Sequence, residues 1–318
     1  MRNDILTSAK TGRRLSNIKY HLGALLSVTA WGAAFISTKV LLQNELSPVE
    51  IYVYRFFIAY LFVLIVCPRP LFSNSLSDEL KFLLVGVCGG SVYFIAENTA
   101  CDYTLVGNVS LIVTTAPLLS TLIMGLMYKK DRPQRGFVVG SLVAFFGVAL
   151  VIFNSSVVVK VMPLGDMLSL LAALAWAFYT ILLKPLNATY GAWFITRKTF
   201  FYGVVTALPF LALEPSTTDF AVLLRPEVLL NFAFLGLFAS LVAYFFWAQA
   251  VKNLGVLTSG NYLYISPIVT LVMSALFLGE RVTWIGYTGC SMILLGVILS
   301  EKLSRKQSIP VNTDSSPR

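Results

Sequence analysis

The chain has 318 residues, of which 57% are hydrophobic and 12% charged, and its formal net charge is +9. This composition excludes an ordinary water-soluble domain, because the apolar runs are too many and too long to be buried in one core. The cysteines form no CxxC pair and His21 is the only histidine, which argues against structural zinc, haem and a disulfide framework. We therefore expect neither a metal site nor a cofactor.

Ten hydrophobic runs follow a polar, basic leader that covers residues 1–17. Most runs are about 20 residues long, which is enough for a helix to cross a bilayer. The first run is longer than the core of a signal peptide, so we interpret it as a retained span. Residues 301–318 are polar without periodicity and are predicted to form a disordered cytoplasmic tail. The runs are residues 18–42, 48–66, 80–100, 104–127, 134–153, 164–186, 192–213, 228–250, 256–278 and 283–300.

Lysine and arginine residues set the predicted orientation. With the N-terminus inside, the inner segments hold seventeen of them, whereas the outer connections hold only Lys160, Arg225 and Arg281. Positive charge is enriched in cytoplasmic loops, so both termini, including the leader, are expected in the cytoplasm. The net positive charge thus reflects orientation in the cell (inner/plasma) membrane, and no nucleic-acid partner is expected.

A short pattern occurs twice in the chain. Ala30-Trp31, followed after seven residues by Lys39, returns as Ala175-Trp176, followed after seven residues by Lys184. Each half holds five runs, an odd number, so the second half would be inverted in the membrane relative to the first. Inverted repeats are typical of secondary transporters, although apolar segments also match by chance. Matches at a constant offset of 150 are Phe82, Gly86, Ala100, Val106 and Pro117 with Phe232, Gly236, Ala250, Val256 and Pro267.

The two halves, the Ala-Trp openings and the mid-span prolines resemble the EamA-type drug/metabolite transporter superfamily. The run Ser266-Pro267-Ile268-Val269-Thr270-Leu271, with Leu278-Gly279-Glu280 after it, is especially similar to the second repeat of that family. The resemblance covers residues 18–300 and implies an all-α membrane protein with ten transmembrane helices. These would form two inverted five-helix repeats, residues 18–153 and 164–300. In the first half, Lys129-Lys130-Asp131 departs from the Gly-Glu pattern.

The function that the resemblance implies is export of small metabolites, such as amino acids or related compounds, by alternating access. Transport would be driven by the substrate gradient or by protons, in a monomer or homodimer in the lipid bilayer. The alternative is a polytopic protein that transports nothing, such as a sensor or a lipid-modifying enzyme. An enzyme is not expected, because a lone histidine cannot supply a histidine-dependent dyad and no nucleotide-binding motif is present.

Pro117 and Pro267 are the first candidates for a site. A proline inside a helix frees the carbonyl four residues earlier and crowds it. In lipid, such a carbonyl needs protein, water or a ligand to satisfy it. One interpretation is two broken helices that face a hydrated central cavity, and the other is two simple kinks healed by neighbouring hydroxyls. Predicted cavity residues are Trp31, Tyr93, Asn108, Thr114, Trp176, Tyr244, Asn261 and Tyr264.

Charged residues inside the runs are candidates for coupling or gating. Glu97 lies well inside a run and could couple protons or bind an amine, but its depth, roughly 26 Å along the helix, favours an outer-vestibule or solvated carboxylate. Lys39 and Lys184 either extend to opposite interfaces or act as gating charges. Arg55 could attract a substrate carboxylate, although pairing with a nearby acid, Glu45 or Glu50, is favoured. The glycine-rich runs five and ten are interpreted as packing seams.

Overall fold

The structure, a computed structural model, describes residues 2–68, 72–103, 106–128, 133–152, 163–213, 220–277 and 282–306. The side chains of residues 2–16 and of a few other positions lie outside this description. Within the described ranges the chain forms helices joined by short turns and contains no strand. The predicted all-α architecture is confirmed.

The described part contains fifteen α-helices, numbered in chain order. The first half holds α1 (Arg2–Gln43), α2 (Pro48–Val66), α3 (Leu76–Gly86), α4 (Val92–Tyr103), α5 (Val106–Val113), α6 (Ala116–Met127) and α7 (Arg135–Ile152). The second half holds α8 (Pro163–Thr189), α9 (Ala192–Leu213), α10 (Phe220–Leu223), α11 (Pro226–Ala233), α12 (Ala243–Leu254), α13 (Val256–Asn261), α14 (Ser266–Phe277) and α15 (Trp284–Lys306). The π-helical segments Val87–Ser91 and Phe234–Val242 join α3 to α4 and α11 to α12, and the 3₁₀ turn Tyr262–Ile265 joins α13 to α14.

Within these ranges, seven helical stretches are long and apolar enough to cross a membrane. They are Asn17–Gln43, Pro48–Val66, Leu76–Ala100, Arg135–Ile152, Pro163–Thr189, Pro226–Leu254 and Val256–Met273. Leu111–Met127 and Trp284–Ser300 are shorter apolar helices. Such helices satisfy their own backbone hydrogen bonds, which lipid cannot do for them. The exact number of ten spans, and their inversion, stay predictions.

The two halves pack against each other reciprocally. Helix α1 packs against α12 and α14, and α8 packs against α4, α5 and α6. Each helix that carries an Ala-Trp pair therefore lies on the third and fourth spans of the opposite half. An offset of 150 places the π-helical segment Val87–Ser91 on residues 237–241, which lie inside the second π-helical segment. Both observations support the predicted repeat.

Glycines bring α7 and α15 into close contact. A Cβ added to Gly140 would lie 2.3 Å from the backbone nitrogen of Ser300, and one added to Gly296 would lie 2.3 Å from that of Ala144. A Cβ on Gly147 would lie 2.6 Å from the nitrogen of Ile293. No side chain fits between these backbones, so the glycine-rich runs form a packing seam, as interpreted from the sequence.

The two ends of the chain compare differently with the prediction. Helix α1 begins at Arg2 and includes the leader, and its apolar stretch Asn17–Gln43 agrees with the predicted run 18–42. Helix α15 continues to Lys306, so residues 301–306 are helical and the prediction of disorder from residue 301 is wrong for them. Residues 307–318 lie outside the described part of the chain.

Candidate functional site

Two indole rings meet where the halves pack together. Trp31 of α1 and Trp176 of α8 have ring centroids 5.0 Å apart and ring planes at 88°. Trp247 of α12 lies 5.2 Å from Trp31 and 6.1 Å from Trp176, and Tyr244 lies 5.8 Å and 6.1 Å from the same rings. Edge-to-face and tilted contacts at these distances stabilise aromatic pairs. We call these four rings the central cluster; they come from both halves.

Further aromatic residues surround the central cluster. The ring centroids of Tyr93 and Tyr179 lie 5.1 Å and 5.0 Å from Trp176, and that of Phe56 lies 5.5 Å from Tyr244. Tyr93 and Trp31 are only half-buried, although their neighbours in the cluster are buried. Trp31 and Tyr93 therefore keep some accessible surface, whereas the rings around them are enclosed by protein.

The polar atoms of the central cluster are satisfied unevenly. Trp31 Nε1 donates a hydrogen bond to the Ala239 carbonyl at 2.9 Å, and the Tyr244 hydroxyl donates one to the Gly89 carbonyl at 2.6 Å. Both acceptors belong to the π-helical segments, where the wider turn disturbs the regular backbone pairing. The indole N–H groups of Trp176 and Trp247 have no hydrogen-bond partner within the described residues. An unsatisfied buried donor costs about 1–3 kcal/mol.

One cation and one carboxylate lie beside the cluster. Arg55 is 4% exposed; its Nε donates to the Ser240 hydroxyl at 3.0 Å, and its guanidinium lies 4.9 Å from the Phe94 ring centroid. Glu97 is 8% exposed and accepts a hydrogen bond from the Tyr93 hydroxyl at 2.9 Å. A basic and an acidic side chain therefore lie beside the aromatic rings.

Two favoured interpretations of these charges are wrong. Arg55 bonds Ser240 and does not pair with Glu45 or Glu50; Glu50 instead caps α2 by accepting the backbone N–H of Ser47 at 2.9 Å. Glu97 is 8% exposed, so it is not a solvated carboxylate, and its position in an outer vestibule stays a prediction. Distance along a helix measures depth in the bilayer, whereas burial depends on the helices packed around the residue.

The two proline-containing spans are interrupted just before the proline. Helix α5 ends at Val113, and Thr114, which is half-buried, lies in the turn that separates it from α6, where Pro117 is in the first turn. Pro267 likewise follows a 3₁₀ turn. A Cβ added to Gly260 would lie 3.7 Å from Pro117 Cβ, so the two breaks approach each other. The hydrated cavity at the breaks stays a prediction.

Two predicted cavity residues contact α7 and α15. The Asn261 amide donates to the Ser300 hydroxyl at 2.5 Å and accepts from the Ser141 hydroxyl at 3.0 Å. Tyr264 is fully buried against residues of α7 and α15, including Ala144. Both side chains thus brace the glycine seam, and their place in one cavity with Trp31 stays a prediction.

The remaining candidates are not brought to the cluster by any contact within the described residues. Lys39 is exposed, as expected for a side chain that extends to an interface. Lys184 is half-buried, with its ammonium 4.2 Å from the Tyr128 ring centroid. Asn108 belongs to α5, but its side chain lies outside the described part.

Comparison with known proteins gives the family. The model of the EamA-like transporter family matches residues 18–153 and again residues 163–301. The chain belongs to the EamA-like transporter family. It is therefore a multi-pass membrane transporter, and the two matches divide it into two EamA-like repeats. Trp31 lies in the first repeat, and Trp176 lies in the second.

Relatives of this EamA-like chain carry transporter names. An uncharacterized transporter of Archaeoglobus fulgidus is 26% identical over 89% of this chain and 98% of its own length. A probable amino-acid metabolite efflux pump of Escherichia coli is 25% identical over 87% of this chain and 93% of its own. A solved crystal structure that is 15% identical superposes with a TM-score of 0.74 over 91% of this chain and 99% of the other, which shows the shared fold.

Several residues around the EamA-like repeat interface were not predicted. Trp247 follows Tyr244 by three residues and Tyr179 follows Trp176 by three, so each lies on the same helical face as a predicted residue. That spacing could have identified both. Tyr52, Phe56 and Phe200 could not be identified in this way, because their spans are apolar on all sides and show no preferred face.

Proposed function

We propose that this protein is a secondary transporter that exports small metabolites, such as amino acids or related compounds, by alternating access. The observation that carries the proposal is the central cluster, in which Trp31 of one repeat meets Trp176 and Tyr244 of the other. Transporters built from inverted repeats bind their substrates between the repeats near the middle of the membrane. A substrate held there contacts both repeats, so movement of one against the other changes the side from which the site is open.

The charges beside the cluster indicate the class of substrate. Arg55 presents a guanidinium that can bind a carboxylate, and Glu97 presents a carboxylate that can bind an amine. The rings of Trp31, Trp176 and Tyr93 offer apolar surface to the rest of the molecule. This combination suits a zwitterion with an apolar side chain. Charged groups inside membrane-spanning segments are costly, which favours a functional reason for keeping them.

The broken helices suit the proposed movement. Pro117 and Pro267 follow interruptions in the fourth span of each repeat, and a helix that is already interrupted bends at little further cost. The export step would use the substrate gradient or an inward flow of protons through Glu97. In this proposal ten spans form two inverted repeats in the cytoplasmic membrane with both termini inside, and the chain works as a monomer or homodimer.

Transport by the purified protein in proteoliposomes tests the proposal. Saturable counterflow of radiolabelled amino acids is expected, and Trp31→Ala should abolish it. Trp284→Ala is the matched control, because Trp284 is 85% exposed and lies far along the chain from the cluster; it should transport normally. Absence of saturable flux with every metabolite pool would contradict the proposal and favour a polytopic protein that transports nothing.

A further inference from the structure

Equivalent hydrogen-bonding groups in the two repeats have different partners. Trp31 and Trp176 are matched by the Ala-Trp pattern, and an offset of 150 matches Gly89 to Ala239. In one pair, Trp31 Nε1 donates to the Ala239 carbonyl at 2.9 Å. In the other pair, the Gly89 carbonyl is occupied by another donor, and Trp176 Nε1 has no partner among the described residues.

Tyr244 is the residue that makes the difference. Its hydroxyl donates to the Gly89 carbonyl at 2.6 Å and is itself fully buried. The same offset matches Tyr244 to Phe94, which has no hydroxyl, so nothing comparable blocks the Ala239 carbonyl from Trp31. Gly89 also faces the helix of Trp176, since an added Cβ would lie 2.3 Å from the ring of Tyr179. Gly89 thus lies against the helix that carries Trp176, while its carbonyl accepts from Tyr244.

The Trp176 indole keeps a small accessible surface. Trp176 is 5% exposed, whereas Trp247, whose indole N–H also lacks a partner among the described residues, has no exposed surface. The indole nitrogens of both residues are buried, but the Trp176 ring borders accessible surface and the Trp247 ring does not. Tyr93, which is half-buried, lies beside Trp176 at 5.1 Å, so accessible surface lies next to this indole.

We propose that Trp176 Nε1–H is a hydrogen-bond donor to the transported substrate, and that Tyr244 keeps it available by occupying the Gly89 carbonyl. Trp31 has a structural bond instead, so the site is asymmetric although the repeats match. The ligand is a small molecule with a carboxylate or carbonyl oxygen next to an apolar group. This inference deepens the proposed function and rests on it. Trp176 is then a binding residue and Tyr244 a positioning residue.

The first experiment needs no ligand. The full-length protein, labelled with ¹⁵N at its tryptophans, gives an indole N–H spectrum whose five signals are assigned with single Trp→Phe variants. Tyr244→Phe removes only the hydroxyl and frees the Gly89 carbonyl. The Trp176 signal should then move to higher proton frequency, as an indole does on gaining an acceptor, while the Trp31 signal stays. An unmoved Trp176 signal would overturn the role of Tyr244.

The second experiment measures counterflow of an equimolar mixture of the twenty common L-amino acids in proteoliposomes. Trp176→Phe and Tyr244→Phe should each raise the KM about tenfold, the loss expected for one hydrogen bond to a charged oxygen. The double variant should be no worse than Trp176→Phe, because Tyr244 acts through Trp176. Trp284→Phe is the matched control and should leave KM unchanged, because Trp284 is 85% exposed and does not belong to the central cluster.

The outcomes separate this inference from the proposed function. Full additivity of the two substitutions, or normal KM in Trp176→Phe, would overturn the inference while wild-type transport still supports the proposed function. Absence of wild-type counterflow would contradict the proposed function and remove the substrate role of Trp176, whereas the ligand-free spectrum would still decide whether Tyr244 withholds the Gly89 carbonyl.

Discussion

Lys198 and Glu79 form a buried ion pair that joins α9 to the first turn of α3. The Lys198 side chain has no exposed surface, and that of Glu79 is 13% exposed. The Tyr202 hydroxyl and the Ser73 backbone N–H donate to the same carboxylate. A charge this deeply buried is tolerated because an opposite charge and further hydrogen bonds satisfy it. The pair therefore fixes the connection between α2 and α3 against the second repeat.

Glu79→Gln should destabilise the protein strongly. It removes the carboxylate charge that faces the buried Lys198 ammonium, and breaking a buried pair in this way costs about 3–5 kcal/mol. The measurement is unfolding in detergent followed by near-UV circular dichroism. Lys81→Gln is the control: its pair with Asp78 is partly exposed, with side-chain exposures of 36% and 21%, and such pairs contribute about 0–1 kcal/mol. Equal unfolding midpoints for Glu79→Gln and Lys81→Gln would show that the Lys198–Glu79 pair contributes no more to stability than a surface pair.

Gly296→Ala should separate α7 from α15. The new Cβ would lie 2.3 Å from the Ala144 backbone nitrogen, and backbone cannot yield as a flexible side chain does. Overpacking of this kind costs about 1–3 kcal/mol, so the unfolding midpoint should fall. In Gly191→Ala the new Cβ has nothing within 4 Å, and the midpoint should stay unchanged or rise. A Gly296→Ala protein as stable as the wild type would contradict the close seam.

Much of the fold could be predicted because lipid imposes a simple rule. A chain in hydrocarbon must satisfy its backbone within each segment, so long apolar runs predict helices. The interruptions near Pro117 and Pro267 could also be predicted, since proline removes a backbone donor wherever it lies. The π-helical segments could not, because no residue type forces them.

The sequence predicted the site only in part, because it does not show how each helix is rotated about its own axis. Trp31 and Trp176 stood out because tryptophan prefers the membrane interfaces and both fall near the middle of a run. The contacts that Asn261 and Tyr264 make could not be predicted, because a span that is apolar on all sides does not show which face meets protein. Only packing decides that, and here it turns both toward α7 and α15.

Glu97→Gln tests whether protons drive export. If Glu97 carries the coupling proton, an inward proton gradient should no longer accelerate efflux from proteoliposomes. Counterflow without a gradient should continue at a higher KM, because glutamine keeps an acceptor for the Tyr93 hydroxyl but lacks the charge that binds the substrate amine. Glu227→Gln is the control, since Glu227 is exposed in the first turn of α11, and its response to the gradient should match the wild type. A gradient response that survives Glu97→Gln would exclude coupling through this carboxylate.

Arg55→Gln tests recognition of a substrate carboxylate. Glutamine can still bond Ser240 but carries no charge, so the KM for amino acids should rise about tenfold or more, while inhibition by the corresponding amines, which lack the carboxylate, should be unchanged. Arg55→Lys should recover part of the affinity, because an ammonium supplies the charge without the two parallel donors. Arg225→Gln is the control, since Arg225 is exposed and bonds Asn44 at 3.0 Å. If amino acids and amines lose affinity equally in Arg55→Gln, the residue holds Ser240 and the fold and does not bind the substrate carboxylate.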